Sequence, residues 1–171
     1  VALGPGLGRK EETAKAVVEF LDGNSKPVVL DADGVVAFSD RVERLREIDD
    51  IVLTPHPGEL AALLDTSPRE VDRRRFELVP DLARDLDVTL LLKGVPTVIG
   101  SPSGEVSLVN CPNSGLAKGG SGDVLTGLIG GYLAQGLSPF SAGKLGAWVH
   151  CKAGEIGAEL RGVDSLQPGD L

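Results

Sequence analysis

Three short apolar runs constrain the fold more than any other feature of the sequence: Pro27-Val28-Val29-Leu30, Ile51-Val52-Leu53 and Val88-Thr89-Leu90-Leu91-Leu92. They are too short for helices and lack the polar alternation of a half-solvated strand. Each must therefore be covered on both faces, which is the pattern of strands inside a parallel sheet. Each run also ends in a polar loop: Asp31-Ala32-Asp33-Gly34, Thr54-Pro55-His56-Pro57-Gly58-Glu59 and Lys93-Gly94. Val1 to Leu3 reads as a further strand end, entering the turn Gly4-Pro5-Gly6-Leu7-Gly8 before a helix from about Glu11 to Leu21. Repetition of strand, loop and helix predicts a mainly parallel, three-layer α/β domain.

The remaining stretches fill in that frame. Val42 to Asp49 reads as a charged surface helix, and Leu60, Leu63 and Leu64 mark a helix after the second loop. Pro68 to Asp85 reads as one helix of mixed charge, with Arg73 to Arg75 on a solvated face. Thr97 to Gly100 and Glu105 to Val109, separated by Pro102-Ser103-Gly104, read as a hairpin at a sheet edge. Ser138-Pro139 starts a long helix through Trp148 and His150 toward Glu159, and Gly162 to Leu171 reads as a loop-like tail.

The segment Asn113 to Asp123, NSGLAKGGSGD, runs into Val124, Leu125, Leu128, Ile129, Tyr132 and Leu133 at helical spacing. Its glycines therefore stand at a helix N-terminus, where backbone N–H groups lack intrahelical partners and the helix dipole is positive. Glycines let those groups approach a phosphate closely. A carboxylate in the same turn repels phosphate unless it has another task, such as taking a proton from an attacking hydroxyl. An ordinary helix cap explains Asp123 as well, and the loop alone leaves both readings open. It is not a Walker loop, because Lys118 precedes Gly119 and Gly120 and no Gly-Lys-Ser/Thr is present. Gly4, Gly6 and Gly8 do not complete a dinucleotide fingerprint either.

Ligands of open parallel sheets bind outside the C-terminal strand ends, which is where Gly6, Asp33, His56, Lys93 and Asp123 are expected to gather. Pro57 keeps His56 out of helical geometry, so its imidazole is held on a stiff loop. A lone histidine is more often structural than functional, but the flanking prolines favour function here. Asp31 and Asp33 fit either the orientation of metal-bound water or a polar substrate, or capping of the next turn.

The formal charge of −8 argues against nucleic acid as the main partner. No run approaches the roughly 18 apolar residues of a membrane span. Cys111 and Cys151 lack metal-site spacing and are too few for a disulfide framework, so reduced thiols in a cytoplasmic protein are the expectation. The 171 residues, with 42% hydrophobic content, suit one domain, and the absence of any Met points to a piece of a longer polypeptide.

Taken together, GPGLG from Gly4, PVVLDADG from Pro27, LTPHPGE from Leu53, LLKGVPTVI from Leu91 and NSGLAKGGSGDVLTGLIGG from Asn113 resemble the NAD(P)H-hydrate dehydratases of the ribokinase-like superfamily. The pieces follow the family's order over nearly the whole chain. The resemblance implies a ribokinase-like α/β/α sandwich with a mainly parallel sheet, from which the family's first strands are missing. It implies dehydration of the S-epimer of hydrated NADH or NADPH, with ADP or ATP as phosphoryl donor, Mg²⁺ as cofactor and a homo-oligomer, commonly a tetramer. By the same resemblance Asp123 matches the catalytic base, Gly120, Ser121 and Gly122 the anion hole, and Gly6 and His56 the hydrate site. Lys93, Gly94, Val95, Pro96 and Thr97, with Gly122, match nucleotide contacts; no metal ligand is carried over. Ser114 and Lys118 depart from the family pattern, and Lys118 is expected either to contact phosphate or to face solvent. Other readings of the same residues are a ribokinase-like kinase of a vitamin precursor and a non-catalytic nucleotide-binding piece.

Overall fold

The computed structural model describes residues 1–171. Six strands form one sheet in sequential order: β1 (Ala2–Leu3), β2 (Val28–Leu30), β3 (Ile51–Leu53), β4 (Thr89–Leu92), β5 (Thr97–Gly100) and β6 (Val106–Val109). β1 to β4 are parallel, with Val29 level with Ala2 on one side and Val52 on the other. β5 and β6 add an antiparallel hairpin at the edge, as the sequence predicts.

Helices cover both faces. On one side lie α1 (Glu11–Asp22), α2 (Ala32–Val36), α3 (Pro57–Leu63), α4 (Pro68–Arg73) and α5 (Arg75–Asp85). They supply Val17, Val35, Leu60, Val71 and Val79 to a core with Leu30, Leu53, Leu90 and Leu92. On the other side α6 (Ser121–Ala134) and α7 (Pro139–Arg161) bring Leu125, Ile129 and Ala142 against Val29, Val52, Leu91 and Ile99. Alternate residues of the central strands thus enter different cores, which is why those strands contain no solvent-facing polar positions. Each fully buried Leu or Ile contributes about 1.5–3 kcal/mol by the area it removes from water. The connections between parallel strands all pass over the first face, leaving the second for the helices that follow the hairpin.

Several expectations are corrected. Residues Val42–Glu47 form a 3-10 helix rather than an α-helix. The stretch from Pro68 to Asp85 is two helices broken at Arg74, whose φ and ψ of −107° and 13° leave the helical region. The break turns Arg75 inward while Arg73 and Arg74 stay solvated beside Glu70 and Glu77. Only two of the three arginines therefore form the charged face. The tail is not all loop: Leu166 is buried against α7, and Pro168–Asp170 forms a 3-10 turn.

The expectation of reduced thiols is also overturned. Cys111, two residues after β6, is disulfide-bonded to Cys151 in the middle of α7. Their spacing of 40 residues carries no local signal, and only the packing of α7 beside β6 brings the two Cα atoms to 5.8 Å. No helix is long and apolar enough to cross a membrane.

Candidate active site

Gly120 begins α6 with φ 92° and ψ −17°, a left-handed conformation that glycine adopts without the cost of a Cβ. No side chain caps the helix. Ser121 N–H donates to the Lys118 carbonyl, and Asp123 N–H to that of Gly120. The N–H groups of Gly119, Gly120 and Gly122 have no backbone acceptor. Three glycine donors at a positive helix end are what an anion requires, with no change of loop shape.

Beneath this loop lies a buried charged network. Asp31, 1% exposed at the end of β2, accepts from Lys93 Nζ and from Thr126 Oγ1, both at 2.7 Å. Lys93 Nζ also stands 3.6 Å from the buried Glu59 carboxylate. The glycine loop passes close above: a Cβ on Gly122 would lie 3.5 Å from Lys93 Nζ and 3.7 Å from Asp31 Oδ2. One ammonium thus sits between two carboxylates within reach of anything bound at the loop.

Glu59 belongs to a second constellation. His56 Nδ1 accepts from the N–H groups of Gly58 and Glu59 at 2.9 and 3.2 Å, and Glu59 Oε2 accepts from His56 N–H at 2.8 Å. This reciprocal capping box gives His56 a structural task at the start of α3. Because Nδ1 accepts, the proton of the neutral ring is on Nε2, which lies 3.1 Å from Glu59 Oε1. His56 still lines the cavity described next.

A cavity of about 410 Å³ opens beside the anion loop. Its walls include Lys93, Gly94, Val95 and Thr97 on one side, and Asn113, Leu116, Ser121 and Gly122 on the other. The segment Lys93–Thr97, which contains a cis Val95–Pro96 bond, rests on Arg75. Arg75 donates to the Pro96 carbonyl and to Asp72, and a Cβ on Gly94 would come within 2.6 Å of its guanidinium. Four of the five residues of the segment assigned by resemblance to the nucleotide therefore line the same cavity as Gly122, and the fifth, Pro96, is held from behind.

Of the residues expected around the substrate, His56 lines this cavity and the others lie elsewhere. Asp123 and Gly6 are exposed and do not line this cavity. Asp33 is not free to meet a ligand: it accepts from Gly8 N–H at 2.9 Å and from Arg9 Nε at 2.8 Å, bracing the first glycine turn. The Arg9 hydrogen bond holds its carboxyl below the usual carboxylate range. Lys118 neither faces solvent freely nor points at the anion loop. Its Nζ donates to the carbonyls of Asp164 and Leu166, both at 2.7 Å, tying the loop to the C-terminal tail.

Sequence reasoning passed over Asp31 as a network centre, Glu59, Arg75, Thr126 and His150. His150 on α7 is buried, lines the cavity and places Nε2 3.1 Å from Ser121 Oγ. Its spacing gives no clue, since 29 residues separate the pair. Burial, which disfavours the charged ring, lowers its pKa from 6.5; the nearby Lys93 acts in the same direction and the bond to Ser121 opposes it. The folded chain therefore binds that proton less readily than the unfolded chain. The resulting stabilisation is complete above the unfolded value and is lost as the pH falls through the lower folded one. The melting temperature of the parent chain will accordingly fall more steeply below a pH of about 6.5 than that of His150→Gln; parallel curves would remove His150 from the account.

Comparisons with known proteins give the chain's family and its relatives. The family model described as NAD(P)H-hydrate dehydratase matches residues 1–171. A bifunctional NAD(P)H-hydrate repair enzyme of Moorella thermoacetica is 43% identical, over 100% of this chain and 32% of its own length. The ADP-dependent (S)-NAD(P)H-hydrate dehydratase of Neisseria meningitidis is 40% identical, over 94% of this chain and 56% of its own. Among solved structures, the ADP/ATP-dependent NAD(P)H-hydrate dehydratase of Bacillus subtilis, co-crystallised with ATP and Mg²⁺, superposes with a TM-score of 0.84 at 32% identity, covering 97% of this chain and 58% of that one. A ribokinase-like superfamily protein of Enterococcus faecalis gives 0.72 at 27% identity, covering 92% and 55%. The chain thus spans between 32% and 58% of the length of these relatives. With a ribokinase-like fold, an uncapped glycine loop at a cavity mouth and a family match along all 171 residues, the chain belongs to the NAD(P)H-hydrate dehydratase family.

Proposed function

We propose that this chain carries the nucleotide-dependent dehydration of the S-epimer of hydrated NADH or NADPH, as a portion of one ribokinase-like dehydratase domain. The observation that carries the reading is the set of free glycine N–H groups at the mouth of the cavity lined by Lys93, Gly94, Val95 and Thr97. ADP or ATP would lie along that wall with its terminal phosphoryl group at the free N–H groups of Gly120 and Gly122, while Ser121 N–H stays on the Lys118 carbonyl. Asp123, in the same turn but outside the cavity, would face the hydrate, beside Gly6.

In this arrangement Asp123 accepts the proton of the ring hydroxyl as its oxygen attacks the terminal phosphoryl group, and ADP or AMP leaves. The loop N–H groups and Lys93 hold the charge that develops on the phosphoryl oxygens. Phosphate then departs from the ring with the C–O bonding pair far more readily than hydroxide would, the neighbouring ring carbon gives up a proton, and the dihydropyridine is restored. A Mg²⁺ arriving on the nucleotide phosphates would meet Asp31 and Glu59, two hard oxygen donors beside the loop, and would neutralise phosphate charge. That both carboxylates are already engaged by Lys93, Thr126 and His56 fits a metal brought by the nucleotide rather than one caged by protein.

A homo-oligomer belongs to the same reading and is supported by exposed apolar side chains on β6 (Val106, Leu108) and α7 (Trp148, Ile156, Leu160). A cytoplasmic location belongs to the same reading, because the substrates are soluble coenzymes.

The nucleotide side is tested by calorimetric titration with Mg-ADP. Loss of a charge-assisted contact is worth about 1.5–3 kcal/mol, so Lys93→Ala is expected to weaken ADP binding by about tenfold or more. A purely structural Lys93 would lower the melting temperature and leave the affinity of the folded variant unchanged.

A further inference from the structure

The Cys111–Cys151 bridge forms part of the wall of the cavity that the proposed function assigns to the nucleotide. It joins the chain just after β6 to α7 at the residue next to His150, whose imidazole meets Ser121 of the anion loop. Between the bridge and that loop runs the segment of residues 111–120, which supplies Cys111, Asn113, Leu116, Ala117 and Lys118 to the cavity.

The attachments of this segment are uneven. Its far half is well held: Leu116 packs on Gly154, where an added Cβ would come within 2.7 Å of its side chain, and Lys118 is bonded to the tail. Its near half is held at Gly115, which is buried against Leu166 and the Val163 carbonyl, whereas residues 111–114 have no such hold beyond the bridge. The backbone bonds of residues 111–117 are local, Asn113 N–H to Cys111, Leu116 N–H to Asn113 and Ala117 N–H to Ser114, and the Asn113 side chain accepts from Gly115. The disulfide is therefore the covalent tie between residues 111–114 and α7, added to the packing of β6 itself against that helix. The two sulfurs also differ in access: Cys151 is 4% exposed, whereas Cys111 is half-buried.

We propose that the Cys111–Cys151 bridge is a thiol-exchange site through which a dithiol reductant controls the order of the nucleotide-cavity wall, and with it nucleotide affinity. This rests on the reading of the cavity as the nucleotide site. A reductant thiolate attacks Cys111 Sγ; the bond between the protein sulfurs breaks, and Cys151 leaves as a thiolate that takes up a proton. The second thiolate of the reductant then attacks its own sulfur of the mixed disulfide, releasing Cys111 and leaving the reductant as a cyclic disulfide. Two electrons pass from the dithiol to the protein. With the bridge open, residues 111–114 must be ordered anew whenever nucleotide binds, and that cost appears as weaker binding.

The test compares the chain with and without dithiothreitol, after peptide mapping under non-reducing conditions has located the cross-link. Reduction is expected to lower hydrogen-exchange protection of residues 111–117 and to raise the Mg-ADP dissociation constant by about tenfold. C111S/C151S is expected to behave as the reduced chain and to be indifferent to dithiothreitol. The reductant arm uses the unsubstituted chain, so it decides the matter even if the double variant folds poorly. Equal exchange protection in the two redox forms overturns the proposal, as does an equal ADP affinity or a map without the Cys111–Cys151 cross-link. If neither form binds ADP while exchange still differs, the nucleotide reading fails, and with it the claimed control of affinity.

Discussion

Asp123→Asn is expected to reduce dehydration by about 10²–10⁴-fold while leaving ADP affinity within about threefold of the parent chain. The asparagine keeps the size and polarity of the side chain but cannot take the proton from the attacking hydroxyl. Structural side effects are small, because Asp123 is exposed and forms no salt bridge or side-chain hydrogen bond, so no partner is left unpaired. The one interaction it loses is with the positive end of α6, worth about 0.3–1 kcal/mol at an exposed position. Nucleotide binding is spared because the side chain stands outside the cavity. Read as an ordinary first-turn acid, Asp123 would give the opposite result: turnover retained, with at most a slight loss of stability. Steady-state rates beside a calorimetric ADP titration separate the two.

The largest effect on stability is expected from Gly4→Ala, about 3 kcal/mol or more, or roughly a 10 °C fall in melting temperature for a chain of this size. Gly4 has φ 131°, where an L side chain is strained. A Cβ built there would lie 1.7 Å from the Asp31 carbonyl oxygen and 3.0 Å from Gly34 N. That oxygen accepts from Gly34 N–H at 2.9 Å and so opens α2, while Asp31 N–H donates to the Leu3 carbonyl at 3.0 Å. The added methyl must push β1 away from β2 or push Asp31 off its position. Since Asp31 carries both Lys93 and Thr126, the second route also disturbs the anion loop. Chemical denaturation checks this: a loss below about 1 kcal/mol would show that the first turn can yield without cost.

The central strands were legible in the sequence because burial on both faces leaves an unbroken apolar run, and Val28–Leu30, Ile51–Leu53 and Thr89–Leu92 fall inside the runs that signalled them. The anion loop was legible for a related reason: glycines before a helical period are a local signal of free backbone donors. What surrounds the loop is assembled from far apart in the chain. Asp31 meets Lys93 across 62 residues and Thr126 across 95, and His150 meets Ser121 across 29. No spacing rule reaches those distances; sheet order and helix packing bring the partners together. Arg75 was misread because its two neighbours are solvated, and only the break at Arg74 reverses its direction. The cysteines misled for the opposite reason. General expectation about isolated thiols outweighed a pairing that only the contact of β6 with α7 reveals.

The most direct test of the account is recovery of the reduced-nicotinamide absorbance when this chain is mixed with hydrated NADH, Mg²⁺ and either ADP or ATP, with released phosphate followed in parallel. The account predicts recovery that depends on the nucleotide and matches phosphate release one for one. A stable phosphate ester accumulating without recovered absorbance would contradict it and assign the site to a kinase.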